Sequence, residues 1–421
     1  MKTKVLVKGP GLSQSGYGEQ TRFALRALKS REDLFDIYFL NIPWGNTNLI
    51  VDESEEKNWM ISLIQKTAPY LQNGQPLDMS IQVTIPNEFE KIAPVNIGYT
   101  AGIETTQVAP VWLQKSNENV NKLIVVSSHS KQIFEKTIYQ AKNEQTGEEF
   151  SYRLQVPVDA VNFGTKEIRA TPVNLDLKHD FNYLVVGQWG PRKNLEQTLR
   201  WFVEENIDQE VGLVFKVNKI KNCYIDFDWC EKHIRHLLSE YPDRKCTVTL
   251  LHGYMTEAEM RGLVTHPKIK AMINISHGEG FGLPLFEAAQ EALPVITIDW
   301  SGQVDFLYAP QKDKKTKKTK MRSHFVKVDF NMSHIQDNAV WEGVLQKESQ
   351  WAFAKEGSYK MKLREMRNKY DLYKARAKKL AKYLKREKTE SKQHEKFVES
   401  LSVYVADLEK DQFAVFDALN K

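Results

Sequence analysis

The sequence predicts an α/β protein of two Rossmann-like, doubly wound domains facing each other across a cleft, with a helical tail. Three features lead there. The first forty residues run strand, glycine loop, helix, strand; a second β/α series opens at Phe181; and the last sixty residues are polar and helical. At 421 residues with 41% hydrophobic and 27% charged side chains, the chain is long enough for two or three cores and too apolar for global disorder.

Taken in order, Lys4–Lys8 alternates around Val5 and Val7 and reads as a strand, which Gly9, Gly11, Gly16 and Gly18 interrupt. Glu19–Lys29 places Phe23, Ala24, Ala27 and Leu28 on one helical face, and Asp36–Ile42 is the next strand. This βαβ unit implies a parallel sheet. Further short strands are predicted at Ser80–Thr84, Val95–Tyr99 and Lys122–Ser127. Val161–His179 lacks periodicity and marks a domain boundary. Beyond it, strands at Phe181–Val186, Val211–Lys216, Cys246–Leu251, Ala271–Ile275 and Val295–Ile298 alternate with helices at Leu195–Glu205, Trp229–Glu240, Glu257–Val264 and Leu285–Ala292. The tail carries Leu363, Met366, Tyr370, Tyr373, Leu380 and Leu384 at spacings of three to four. The expected division is an N-terminal domain at 1–170, a second at 171–357, and helices at 358–421 packing back on the body.

Composition narrows the function classes. Cys223, Cys230 and Cys246 fit neither a disulfide framework nor a CxxC metal pair, so reduced thiols are expected. No apolar run is long enough for a signal peptide or a membrane span, and a cytoplasmic protein without stable membrane insertion is expected. The net charge of +5 is uneven: residues 311–322 hold seven Lys/Arg against one Asp, and 357–392 hold fourteen against four acidic residues. The remainder has 38 basic and 49 acidic residues. The two basic segments suit a polyanion such as nucleic acid, or simply a solvated surface. The tail's apolar stripe would serve an anionic membrane or docking on the core.

The segment Asn274-Ile-Ser-His-Gly-Glu-Gly-Phe-Gly-Leu-Pro-Leu-Phe-Glu-Ala-Ala is the richest in chemistry. A strand ends in a glycine turn, and a helix follows with Pro284 in its first turn. The amides of Gly280, Phe281 and Gly282 then lie at a helix N-terminus, suited to an anionic or hydroxyl-rich ligand. Glu279 and Glu287, eight apart, both face the strand ends. Asp226-Phe-Asp228 is a second candidate: either its paired carboxylates hold a divalent metal, or Asp228 caps a helix starting at Trp229.

Glu279 through Ala288, completed by Pro294-Val295-Ile296, resembles the E-x7-E region of retaining GT-B glycosyltransferases of the large family 4-like group, chains common in tailed-phage genomes. Ala292-Leu293 stands where that family usually has a glycine. The resemblance implies that Glu279 sits against the donor sugar, that the Gly280–Gly282 turn and Leu283 contact it, and that Glu287 accepts the ribose hydroxyls. Gly187-Gln188-Trp-Gly-Pro-Arg192-Lys193 resembles the loop that holds the donor diphosphate; Lys193 matches its lysine, Gln188 replaces its arginine, and Arg192 is the expected substitute. Gly11 through Gly18 resembles the first-domain loop, with Gly16 and Gly18 at the diphosphate. Glu104 stands near the position of the family's active-site histidine and is the candidate acceptor-orienting group or base. No second carboxylate is clearly paired with Glu279, so no protein nucleophile is expected.

The resemblance implies hexose transfer from a nucleotide sugar, with a UDP-sugar expected, to a glycan or small-molecule hydroxyl, with retention and no metal or other cofactor. Alternatives are a transferase acting on hydroxymethylated DNA through the two basic segments, in host cytoplasm if phage-encoded, and a non-catalytic sugar-nucleotide or nucleic-acid binding module.

Overall fold

A computed structural model describes residues 2–142, 145–313 and 318–405. The first unit contains β1 (Thr3–Gly9), α1 (Gly16–Lys29), β2 (Phe35–Asn41), α2 (Glu55–Gln72), β3 (Met79–Val83), β4 (Val95–Thr100), α3 (Pro110–Asn119), β5 (Lys122–Val125) and α4 (Ser128–Lys136). A hairpin of β6 (Ile138–Lys142) and β7 (Glu149–Arg153) and the short β8 (Val158–Ala160) complete it. Its parallel sheet has the order β2-β1-β3-β4-β5-β8. Val5 and Val7 of β1 enter one apolar cluster and Leu6 another, as a sheet covered on both faces requires.

The second unit follows the unpatterned stretch after Val161. It contains β9 (Asn182–Gln188), α5 (Leu195–Glu205), β10 (Gly212–Asn218), α6 (Tyr224–Ser239), β11 (Thr247–Leu251), α7 (Glu257–Val264), β12 (Ile269–Asn274), α8 (Leu283–Gln290), β13 (Val295–Ile298) and α9 (Val304–Leu307). The hairpin β14 (Tyr308–Lys312) and β15 (Thr319–Ser323), the sheet strand β16 (Val326–Val328), and the hairpin β17 (Phe330–His334) and β18 (Gln350–Ala354) come next. Its parallel sheet has the order β11-β10-β9-β12-β13-β16.

The tail forms α10 (Glu356–Asn368), α11 (Tyr370–Glu387) and α12 (Glu390–Glu399). Leu363, Met366 and Tyr373 are buried in the second unit's core, while Leu380 and Leu384 join the larger core that spans both units. Helix α12 crosses back to α1, where Phe397 meets the Phe23 ring at 5.8 Å and the Tyr99 ring at 5.2 Å. Docking, rather than a membrane face, uses the stripe. No helix among the described residues is long and apolar enough to cross a membrane.

Several local expectations change. Helix α1 starts at Gly16, not Glu19, because Ser15 caps it and accepts the Gly18 amide at 3.0 Å. Gly16 and Gly18 are therefore helical, not loop. Helix α6 starts at Tyr224, so Asp228 is inside it, paired with Lys232 at 2.8 Å, and is no cap. The lysine run 311–322 enters a β-hairpin on both sides, and its residues 314–317 lie outside the described residues. Ala292 adopts φ 56°, a left-handed conformation that favours glycine after a helix.

Phe397 is fully buried, so Phe397→Ala removes the ring that ties the tail to α1. It is expected to cost about 3–5 kcal/mol in denaturant unfolding; a loss below about 1 kcal/mol would show that the tail is not part of the core.

Candidate active site

The C-terminal ends of both parallel sheets face one cleft of about 630 Å³, where open α/β sheets place ligands. Its centre is Glu279, in the turn between β12 and α8 and 5% exposed. Lys193 Nζ bonds both Glu279 oxygens, at 2.6 and 2.8 Å. Arg192 Nη1 donates to Oε2 at 3.1 Å and Asn274 Nδ2 to Oε1 at 2.9 Å. Burial alone would raise this carboxyl, but the Lys193 and Arg192 charges hold it down at about 2. Burial in turn pulls the Lys193 ammonium below its usual range despite Glu279.

The backbone makes this clustering possible. Arg192 and Lys193 lie on a one-turn helix at Pro191–Lys193, and Asn194, at φ 52°, turns the chain into α5. The Glu279 amide donates to Ser301 Oγ at 2.8 Å, and Ser301 is held at φ 69°. A methyl group on Gly302 would lie 2.0 Å from the Gly280 carbonyl, so only glycine permits that approach. Among the described residues, the amides of Gly280, Phe281 and Gly282 donate to no protein acceptor. They border the cleft together with Leu283. The Phe281 ring itself points into the core, 5.1 Å from Phe163 and 5.0 Å from Phe306, so its backbone is the part available to a ligand.

The first unit closes the other wall. Arg192 Nη1 lies 3.4 Å from Glu104, so one guanidinium joins Glu104 and Glu279 across the cleft. The structure thus brings a second carboxylate to Glu279, contrary to the sequence expectation, which lacked the cross-domain contact. A Cβ on Gly278 would come within 2.5 Å of the Glu104 carbonyl. The N-terminus of α1 also faces the cleft, with Gly16 and Tyr17 on its wall and their amides free of protein acceptors, a suitable cradle for an anion. Gly18 is not on the wall: its amide is used by Ser15, and a Cβ there would meet the Ser13 carbonyl at 2.0 Å. Gln188 lines the cleft but donates to the Lys219 carbonyl at 3.0 Å.

Glu287 projects into the cleft from α8, and among the described residues its carboxylate accepts no hydrogen bond. Burial, partly countered by Arg261, pushes it up to about 7. On the cleft's opposite side Glu19 is buried under Arg26, Lys166 and Arg22, whose charges outweigh burial and keep it ionised. That network escaped sequence reading because its members lie on α1, in the inter-domain segment and, through Glu390, on α12. Asn274 and Lys216 were also missed. Lys216 did leave a signal, as a charge within the apolar strand Val214-Phe215-Lys216-Val217.

Asp226 and Asp228 do not converge as a metal pair. Asp226 accepts the amides of Lys219, Ile220 and Lys221 and bonds His252 Nε2 at 2.8 Å. Its neighbours Cys230 and His252 bring ligand-type atoms within 4.8 Å of one another and of Asp226. Burial and the Asp226 charge push the Cys230 thiol up to about 12, so it remains a protonated donor to Asp226. Through those three amide bonds Asp226 braces the loop after β10.

No family model matches the chain. It is 29% identical over 201 residues to serotype-specific mannosyltransferase WbdA of Escherichia coli, a match covering 45% of this chain and 23% of that protein. The match thus spans under a quarter of that relative's length. Among solved structures, it is similar to Anabaena Alr3699/HepE in complex with UDP and glucose, with TM-score 0.56 and 13% identity over 95% of this chain and 100% of that one. Sucrose-phosphate synthase from Thermosynechococcus elongatus gives TM-score 0.58 and 14% identity over 99% and 100%. A UDP-forming trehalose-phosphate synthase from Burkholderia xenovorans gives 0.58 and 10% over 95% and 99%. The shared architecture is the GT-B fold: two parallel-sheet, Rossmann-like domains with C-terminal helices.

Because Glu279 is held near 2 rather than at 4.5, its contribution to stability is present above pH 4.5 and lost as pH falls toward 2. The wild-type advantage over Glu279→Gln in unfolding free energy is expected to shrink by about 3 kcal/mol between pH 6 and pH 2. An advantage constant across that range would contradict the clamp.

Proposed function

We propose that this protein is a glycosyltransferase that moves a hexose from a nucleoside-diphosphate sugar to an acceptor hydroxyl with retention of anomeric configuration. One observation supports this most: a buried carboxylate clamped by two cations, with free turn amides and an unpartnered carboxylate eight residues on, all lining one cleft. The mannosyltransferase similarity over 201 residues and the shared fold point the same way.

In this reading the donor diphosphate lies between Lys193, Arg192 and the free amides of α1. As the glycosyl bond breaks, negative charge grows on the leaving phosphate, and these donors are already fixed around it. The sugar hydroxyls bond Glu279 and the Gly280–Gly282 amides. Glu279 is weakly basic and occupied by three donors, which suits orientation rather than nucleophilic attack. The acceptor approaches from the Glu104 side, and the leaving phosphate takes the acceptor proton on the same face. Glu104, tied to Arg192, orients the acceptor. A glycan or small hydroxyl compound is the expected acceptor. A DNA acceptor gains no support from the tail, whose apolar stripe is packed on the core. Cytoplasmic residence is part of this proposal.

Glu287 accepts the two ribose hydroxyls, and its ionised form is the better acceptor. A group near 7 loses ionisation as pH falls, so nucleotide-sugar affinity is expected to be roughly tenfold weaker at pH 6 than at pH 8. Glu287→Gln should bind weakly at both values. Calorimetry with UDP-glucose and GDP-mannose tests this; an unchanged affinity in the variant would refute the ribose contact.

Glu104→Gln is expected to lower kcat by a factor of about 10² through lost acceptor orientation while leaving donor affinity unchanged. Equal loss of donor binding would move Glu104 to the donor side.

A further inference from the structure

We propose that Lys216 hydrogen-bonds a carbonyl oxygen on the donor's base, selecting a keto-bearing base (uracil or guanine) over adenine. This rests on the preceding reading that a nucleoside-diphosphate sugar fills the cleft, and deepens it by naming the base chemistry.

Lys216 lies near the C-terminal end of β10, paired in register with Val186 of β9 and Leu251 of β11. Side chains alternate along a strand. Phe215 and Val217 enter the second unit's own core, so Lys216 shares the other face with Val214, whose cluster includes Leu263, Val264 and Phe286. Val186, Met255, Met260 and Val264 border the cleft with it and form an apolar slot. That slot lies beside β9 on the flank away from β12 and Glu279, because the sheet order is β11-β10-β9-β12. A donor with its sugar at Glu279 and its diphosphate at Lys193 therefore directs its base toward β10.

The lysine is out of place by ordinary packing rules. Among the described residues no carboxylate lies within ion-pair distance of it. Its single protein partner among the described residues is the Gly253 carbonyl, and burial lowers the ammonium to about 8. A half-buried cation without a counter-ion costs stability that Met or Leu would not. An ammonium carries three donors and no acceptor, so two N–H groups remain for a ligand. Uracil and guanine offer carbonyl oxygens there. At the position of the guanine O6 or uracil O4 oxygen, adenine presents an amino group, another donor, and a donor facing a donor in a buried slot costs more than a missing bond.

The test is calorimetric titration of the full chain with UDP, GDP and ADP, for wild type, Lys216→Met and Lys216→Gln. Wild type is expected to bind UDP or GDP at least about tenfold more tightly than ADP. Lys216→Met should weaken the preferred nucleotide by about tenfold and leave ADP within about threefold. Lys216→Gln, whose amide oxygen can accept from adenine, should raise ADP relative to the others and serves also if the Met variant fails to fold. A wild-type preference for ADP, an unchanged ranking in both variants, or an equal loss for all three nucleotides would overturn the proposal while leaving the donor reading intact. Failure of wild type to bind any of the three would overturn the donor reading, and this proposal with it.

Discussion

Everything in the cleft is arranged around the burial of Glu279. A carboxylate removed from water is tolerated only when cations and hydrogen-bond donors replace its hydration, and here Lys193, Arg192 and Asn274 supply them. Those three groups come from two different strand ends and must converge within hydrogen-bonding distance. That convergence explains the odd backbone nearby. Asn194 and Ser301 sit in the left-handed region, and Gly302 lies so close to the Gly280 carbonyl that it has no room for a methyl group. The strain is concentrated at the site and supported by two well-packed sheets.

The same cluster connects the two domains. Arg192 reaches Glu104 across the cleft, and Gly278 lets the Glu104 backbone approach. Farther out, Asp305 accepts the Ser128 amide at 2.7 Å, Thr106 exchanges two bonds with Gln350, and Asn222 bonds Gln14. Helix α12 adds apolar closure through Phe397 on Phe23. The two halves are thus held by polar contacts at the cleft and by a returning helix behind it, an arrangement in which small shifts at the cleft change the distance between the two carboxylates.

What the sequence made legible was whatever is local. Strand Val295–Ile298 and helices Leu195–Glu205 and Glu257–Val264 were read to the residue, because apolar spacing within one segment decides them. Lys193, Arg192, Glu279 and Glu104 were singled out, and the structure brings them together. The misreadings share a cause. Gly18 looked like a loop residue because Ser15's capping bond cannot be seen in one dimension. Asp228 looked like a cap because the helix start at Tyr224 lies upstream of the apolar pattern, and the brace from Asp226 to His252 joins residues 26 apart. The flanking hairpins were invisible because their strands are exposed and weakly patterned. Lys216, the residue with the least local excuse, was passed over as one charge in a strand.

The central claim is that Lys193 and Arg192, now held by Glu279, form the seat of a diphosphate. Comparing the affinities of UDP and UMP for wild type and for Lys193→Met tests it most directly. A diphosphate seat predicts that wild type binds UDP at least about tenfold more tightly than UMP and that the variant loses most of that gain. Equal affinities in wild type, or a gain that survives in Lys193→Met, would contradict it.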